Sequence, residues 1–254
     1  AHTRAILRNA LSRAVRHGLV TRNAAELAEP VAVPNTQRRI LTPEQARVLR
    51  ESYRGDRLEA LHVVAMTLGL RMSELLGLRW EDVEVRGRRQ SDAPGPPITI
   101  GGESVDILHV RQTVHRVGGH SIVAPPKTPR SRRDVPLTQE IAGLLLERRM
   151  QQKAEFLSTG ARPTHDLVFT TEDGRALNGS AVTGRFKTRL RQLGLPAVSS
   201  HDLRHVAASN LQARGLTLVE VQAILGHASI TTTADLYSHA DDGVLAAKVR
   251  GIAW

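Results

Sequence analysis

Apolar positions recur at three- and four-residue intervals along most of this chain and alternate with polar ones only in its middle. Ile6, Leu7, Ala10, Leu11, Ala14 and Val15 line one face of a helix predicted over 3–17, with Gly18 placed to close it. One such helix cannot bury its stripe alone. It is expected to end a domain whose earlier helices are missing, in a chain that does not begin with Met. Residues 1–29 are assigned to that truncated domain, 30–39 (with Pro30 and Pro34) to a linker, and 40–254 to a second domain.

In the second domain, Thr42-Pro43-Glu44 reads as a cap followed by proline at the first helical position. Helices are predicted over 43–52 and 57–68, the latter stopped by Gly69, and Arg71 opens a short helix carrying Glu74, Leu75 and Leu76. Residues 86–104, rich in Arg, Pro and Gly, read as a surface excursion. Alternation then predicts strands from Ile107 to Val117, Ser121 to Ala124 and Arg133 to Leu137, with a turn at Gly118-Gly119. Helical spacing returns near 138–157, 180–193, 200–214, 217–225, 230–239 and 242–250, broken by a short strand-turn at 167–177. The expected fold is mainly α with a small antiparallel β-sheet (α+β).

Composition narrows the partners. Hydrophobic residues make up 41% of 254, enough for a sizeable core, and no apolar run is long enough to predict a membrane span. The start is polar and basic, so no secretory leader is expected. A formal charge of +10, mostly arginine, points to a polyanion, because guanidinium forks pair with phosphate oxygens. An arginine taken singly is as well explained by codon usage; the net sign is not. With no cysteine there are no disulfides and no thiolate metal sites, which fits an intracellular protein.

Chemistry-bearing residues gather in a few settings. Ser199-Ser200-His201-Asp202 has capping-box form, and His201 and Arg204 share a face near a helix N-terminus that favours an anion. His201 and His205 also have the i,i+4 spacing of a zinc pair, but Asp202 stands where a catalytic site wants Glu, and Arg204 would crowd a dication. Gly226 stops a helix and fixes His227 at a corner. Tyr237 follows a Ser/Thr-rich turn, and Lys127 follows two prolines beside the predicted hairpin. Each taken alone is ordinary: a corner histidine, a core tyrosine, a strand-end lysine.

Their order is not. HDLRHVAASNLQARG and VQAILGHASITTTADLYSH resemble the C-terminal signature of the tyrosine recombinase (phage integrase) family. LGLRMSELLGLRWEDV is similar to its first arginine box, and PPKTPRSRRDVPL resembles its lysine-bearing β-hairpin. The likeness runs from about residue 36 to the end, and the 3–17 helix with its GLVTRNAA exit resembles the close of the family's core-binding domain. Val206 replaces the family's common Thr, and Met72-Ser73 a frequent basic-Gly pair.

The resemblance implies a tyrosine recombinase/integrase catalytic fold and a site-specific recombinase that cuts and rejoins double-stranded DNA through a 3′-phosphotyrosyl link. Tyr237 would be the nucleophile, and Arg71, Arg204 and His227 would hold the phosphate. His201 would accept the tyrosine proton or support the phosphate, Lys127 would be the general acid, and Glu74 would hold Arg71. No metal and no cofactor are expected. The partners implied are DNA and a homo-tetramer on synapsed DNA, with room for an accessory directionality factor and no membrane. The setting implied is the cytoplasm, in integration or excision of a phage or mobile element. A chromosome-dimer resolver, a type IB topoisomerase-like relaxing enzyme and a non-catalytic DNA-binding protein remain the alternatives.

Overall fold

The structure, a computed structural model, describes residues 2–28, 40–85, 88–90, 99–100, 103–104, 106–126, 131–163 and 165–226. They fall into two compact units, one within 1–38 and one from 39 onward. The linker assigned to 30–39, most of the 86–104 excursion and the helices predicted near 230–239 and 242–250 lie outside the described residues.

The first unit is α1 (His2–Arg16) and a single turn, α2 (Ala24–Leu27), which the apolar pattern did not reveal. Asn23 makes that turn. Its Oδ1 accepts from the Ala25 N–H (3.1 Å), and its amide donates to Arg8 O (2.9 Å) and Ser12 Oγ (2.7 Å), folding the chain back on α1.

In the second unit, Thr42 and Gln45 form the reciprocal cap of α3 (Pro43–Glu51). The next helix, α4 (Glu59–Leu68), has Ala60 through Met66 buried, as expected of a helix that is apolar all round and runs through a core. It packs against α3 and, downstream, against α6 (Gln139–Thr159) and α8 (Asp202–Ala213). Between them come α5 (Met72–Leu76), a 3₁₀ turn at Trp80–Asp82, and the strands β1 (Val83–Val85), β2 (Arg88–Arg89), β3 (Thr99–Ile100), β4 (Glu103–Ser104), β5 (Ile107–Val110), β6 (Thr113–Val117), β7 (His120–Ala124) and β8 (Arg133–Pro136). Two further helices complete the described residues: α7 (Gly179–Gln192) and α9 (Leu218–Leu225).

The main sheet is antiparallel in the order β2-β1-β5-β8, with Leu108 opposite Val135 and His109 opposite Asp134. The single run expected from Ile107 to Val117 is broken in two. At Gln112 the side chain donates to Gly77 O (2.9 Å), and a Cβ on Gly77 would lie 2.9 Å from Thr113 Cα. That close seat on the end of α5 pulls the strand out of the main sheet, and β6 pairs instead with β7 as a separate ribbon. The fold is therefore mainly α with small antiparallel sheets, around a main core that joins Leu49, Leu61, Val64, Leu75, Leu108, Leu145, Phe169, Phe186 and Leu203.

The start of α8 is also shifted. Ser199 N and Oγ both donate to Asp202 Oδ2 (2.7 Å each), so the box closes a turn ahead of the helix and His201 takes the N-cap position. No helix among the described residues is long and apolar enough to cross a membrane.

Candidate active site

A buried carboxylate organises the site. Arg71 is the N-cap of α5, and Glu74 stands three residues on, across the first turn. The Arg71 backbone N–H donates to Glu74 Oε2 (2.9 Å) and its Nη1 to Oε1 (2.8 Å), so one acid holds both the main chain and the guanidinium. From β8, Arg133 reaches the same carboxylate, Nη2 to Oε2 at 2.9 Å and Nη1 to Oε1 at 3.2 Å. The Glu74 side chain is 1% exposed. Burial pushes its carboxyl up, but Arg133 and then Arg71 outweigh that and hold it below the usual carboxylate range.

Arg204 enters from the first turn of α8 and is buried. It donates from Nη1 to Gly69 O (2.7 Å) and from Nη2 to Leu225 O, joining the C-terminal ends of α4 and α9. Burial, followed by repulsion from Arg71, lowers its pKa to about 9, which leaves it charged at neutral pH.

These contacts converge on the last turn of α9. Three successive carbonyls there each accept from a different arginine: Ile224 O from Arg133 Nε (2.5 Å), Leu225 O from Arg204, and Gly226 O from Arg71 Nη2 (3.4 Å). Helix ends leave such carbonyls without intrahelical partners and carry partial negative charge, so guanidiniums suit them. Three cations against one carboxylate leave a local surplus of two positive charges, a setting that attracts an anion.

Two glycines make the convergence possible. Gly69 caps α4 at φ +61°, and a Cβ there would sit 2.6 Å from Leu225 Cδ2 and 3.0 Å from Ala207 Cβ. Gly226 caps α9 at φ +67°, with Arg133 Nη1 2.9 Å from where a Cβ would be. Both positions need the left-handed backbone and the missing side chain.

The structure thus brings Arg71, Glu74 and Arg204 together. His201 is exposed at the N-cap of α8, one turn ahead of the buried Arg204, and its ring lies edge-on to the buried His205 (centroids 5.8 Å). Among the described residues no group of three His, Cys, Asp or Glu is placed to hold a metal ion. Lys127, His227 and Tyr237 lie outside the described residues. Arg133 was missed by motif reasoning, although strand alternation holds a clue. It shares the inward face of β8 with the fully buried Val135, whereas Arg132 and Asp134 are exposed.

A sequence model of the Phage integrase family matches residues 104–243. The chain is 32% identical over 213 residues to a "Tyrosine recombinase XerC-like" protein of Caldanaerobacter subterraneus subsp. tengcongensis, covering 80% of this chain and 51% of that one. It is 29% identical to an integrase of Streptomyces ambofaciens, covering 91% of this chain and 57% of the relative. The chain therefore spans about half the length of the curated relatives it matches. Among solved structures, the Tn1549 transposon integrase in complex with transposon right end DNA superposes with a TM-score of 0.73 at 21% identity, covering 99% of this chain and 78% of that one. XerA recombinase does so with a TM-score of 0.61 at 21% identity, over 89% of this chain and 68% of that one. Those two likenesses establish the fold, and the matched family model establishes the lineage: this chain belongs to the phage integrase family.

Proposed function

We propose that this chain is the catalytic portion of a site-specific DNA recombinase that works through a 3′-phosphotyrosyl intermediate, in the integration and excision of a mobile element. The observation that carries the reading is the set of guanidiniums drawn around Glu74 and the last turn of α9, with a surplus of two positive charges. Preorganised charge of this kind stabilises the pentavalent phosphate that forms during attack, and such stabilisation is commonly the largest catalytic contribution. In this reading residues 1–29 close a core-binding domain, 30–39 link, and 40–254 are catalytic.

The chemistry follows from the groups. Tyr237 Oη attacks phosphorus and its proton passes to a base, for which His201 is the candidate. The P–O5′ bond breaks, and Lys127 returns a proton to the departing 5′ oxygen. Arg71, Arg204 and His227 meet the negative charge. The phosphotyrosyl bond keeps the energy of the broken phosphodiester, so a 5′-hydroxyl reverses the step without ATP. Exchange between two duplexes requires four such chains on a synapsed junction, with any directionality factor acting from outside. The relatives named integrases favour mobile DNA as the setting, and such an enzyme acts in the cytoplasm.

The test is adduct trapping. Incubated with genomic fragments in magnesium-free buffer and quenched in detergent, the protein should carry covalently bound DNA whose ends can be sequenced. Tyr237→Phe should bind DNA but yield no adduct. Adducts at equal yield in that variant would remove Tyr237 from its role; no adduct from the unaltered protein would defeat the recombinase reading.

A further inference from the structure

Arg133 sits where separate pieces of the site meet. Its side chain is 6% exposed and makes four hydrogen bonds: Nε to Ile224 O, Nη1 to Ser131 O (3.1 Å) and Glu74 Oε1, and Nη2 to Glu74 Oε2. A guanidinium has five N–H groups, so four of these are committed to protein oxygens and no two-pronged edge is left for a phosphate. Its work is on the protein.

The oxygens it holds belong to three stretches that each adjoin a proposed catalytic group. Glu74 grips Arg71. Ile224 precedes His227 by three residues, and Ser131 follows Lys127 by four. The side chain also packs flat against Gly226, where a Cβ would come within 3.1 Å of its Cδ and 3.2 Å of its Cζ. We infer that Arg133 is a positioning residue for strand cleavage, fixing the Glu74 carboxylate, and through it the Arg71 guanidinium, against the last turn of α9. The inference rests on the recombinase reading above.

Glu74 divides its charge between two partners. Two guanidiniums share its two oxygens, so Arg71 contributes only part of its donor set and points the rest of its fork elsewhere, toward Gly226 O. Without Arg133, Glu74 is left to its ion pair with Arg71. The pair then closes on itself, and the local surplus falls from two charges to one.

Arg133→Lys tests the positioning apart from the charge, since an ammonium keeps the charge but cannot span both carboxylate oxygens and Ile224 O together. The assay uses the protein on nicked duplexes of a sequence recovered by adduct trapping, with either a phosphodiester or a neutral methylphosphonate at the cleaved position. The variant should bind both duplexes within about twofold of the unaltered protein and form adduct on the phosphodiester about 30-fold more slowly; the deficit should shrink below about threefold on the methylphosphonate, which has no charge for the clamp to meet. An equal deficit on both substrates marks a merely structural role and overturns the inference, as does no deficit. Arg133→Gln repeats the comparison should the lysine variant fail to fold, and it must show the same substrate dependence. If the unaltered protein gives no adduct on either duplex, the recombinase reading itself fails and this inference with it; no result from the variants alone can produce that outcome.

Discussion

Gly69 does two things at once: it turns α4 off through a left-handed backbone, and it leaves room for Leu225 and Ala207 to close over the Arg204 side chain. The two contributions can be separated by comparison with Gly55, which has φ +75° and nothing within 4 Å of where a Cβ would lie. Gly55→Ala should cost about 1 kcal/mol, the backbone penalty alone. Gly69→Ala should cost about 3 kcal/mol, since overpacking adds to that penalty. Urea denaturation of both variants measures this, and equal costs would deny the close packing. At this scale the sequence was informative wherever a residue type is scarce for a physical reason. A Gly after an apolar helix marks its end, whereas the hold of Glu74 on Arg71 was implied only by the resemblance. Arg133 was not legible in the same way, because three arginines crowd PRSRRDV and only the inward-outward alternation of a strand tells them apart.

Along α6 the sequence pattern predicts a helix but not what it grips. Arg148 is buried with 1% of its side chain exposed, and it pairs with Glu155 (3.0 Å), which also receives Arg57 through both carboxylate oxygens (2.7 Å each). Gln152, one turn away, accepts from Trp80 Nε1 (2.7 Å) and donates to Leu167 O (2.9 Å) and Thr170 Oγ1 (2.9 Å). This ladder fastens the 167–170 segment, whose short bridges alone would not hold it. Such a network is invisible to periodicity, since polar residues at helical spacing read equally well as a solvated face. Breaking it should be expensive. Glu155→Gln leaves the Arg148 charge buried without its counter-ion and should cost about 3 kcal/mol at pH 7. Burial raises the Glu155 carboxyl, but Arg148 and Arg57 outweigh it and hold it low. Its contribution is therefore present above the unfolded value near 4.5 and is lost as pH falls through the lower folded value. The gap between the two proteins should narrow on going from pH 7 to pH 3 in chemical denaturation. A gap that stays constant would show that the charge contributes nothing.

At the scale of the whole molecule, acid should act before the carboxylates titrate, because of one histidine in the main core. His62 lies on α4 with 3% exposure, stacked on Tyr53 at 3.8 Å and facing Phe186, with Asp56 and Arg189 as the charged groups around it. Burial is the main cause that lowers its pKa to about 4; Asp56 opposes the shift and Arg189 adds to it. Folded His62 thus stays neutral while the unfolded chain takes up a proton near 6.5, so stability falls as pH drops from about 6.5 to 4, at up to about 1.4 kcal/mol per pH unit. Below that window this residue adds no further loss, and Glu74 and Glu155, both held low, carry the decline. His62→Phe keeps a flat ring against Tyr53 and removes the titration. The unaltered protein should lose urea midpoint steadily between pH 7 and pH 5, and the variant should lose distinctly less over the same interval. Parallel slopes would mean that the histidine takes up its proton inside the fold, and that the core around α4 is open enough to hydrate a charge. An open core there would also loosen Gly69, only seven residues further along the same helix, and with it the carbonyl that seats Arg204. The acid response of the core and the geometry of the clustered arginines are therefore properties of one helix.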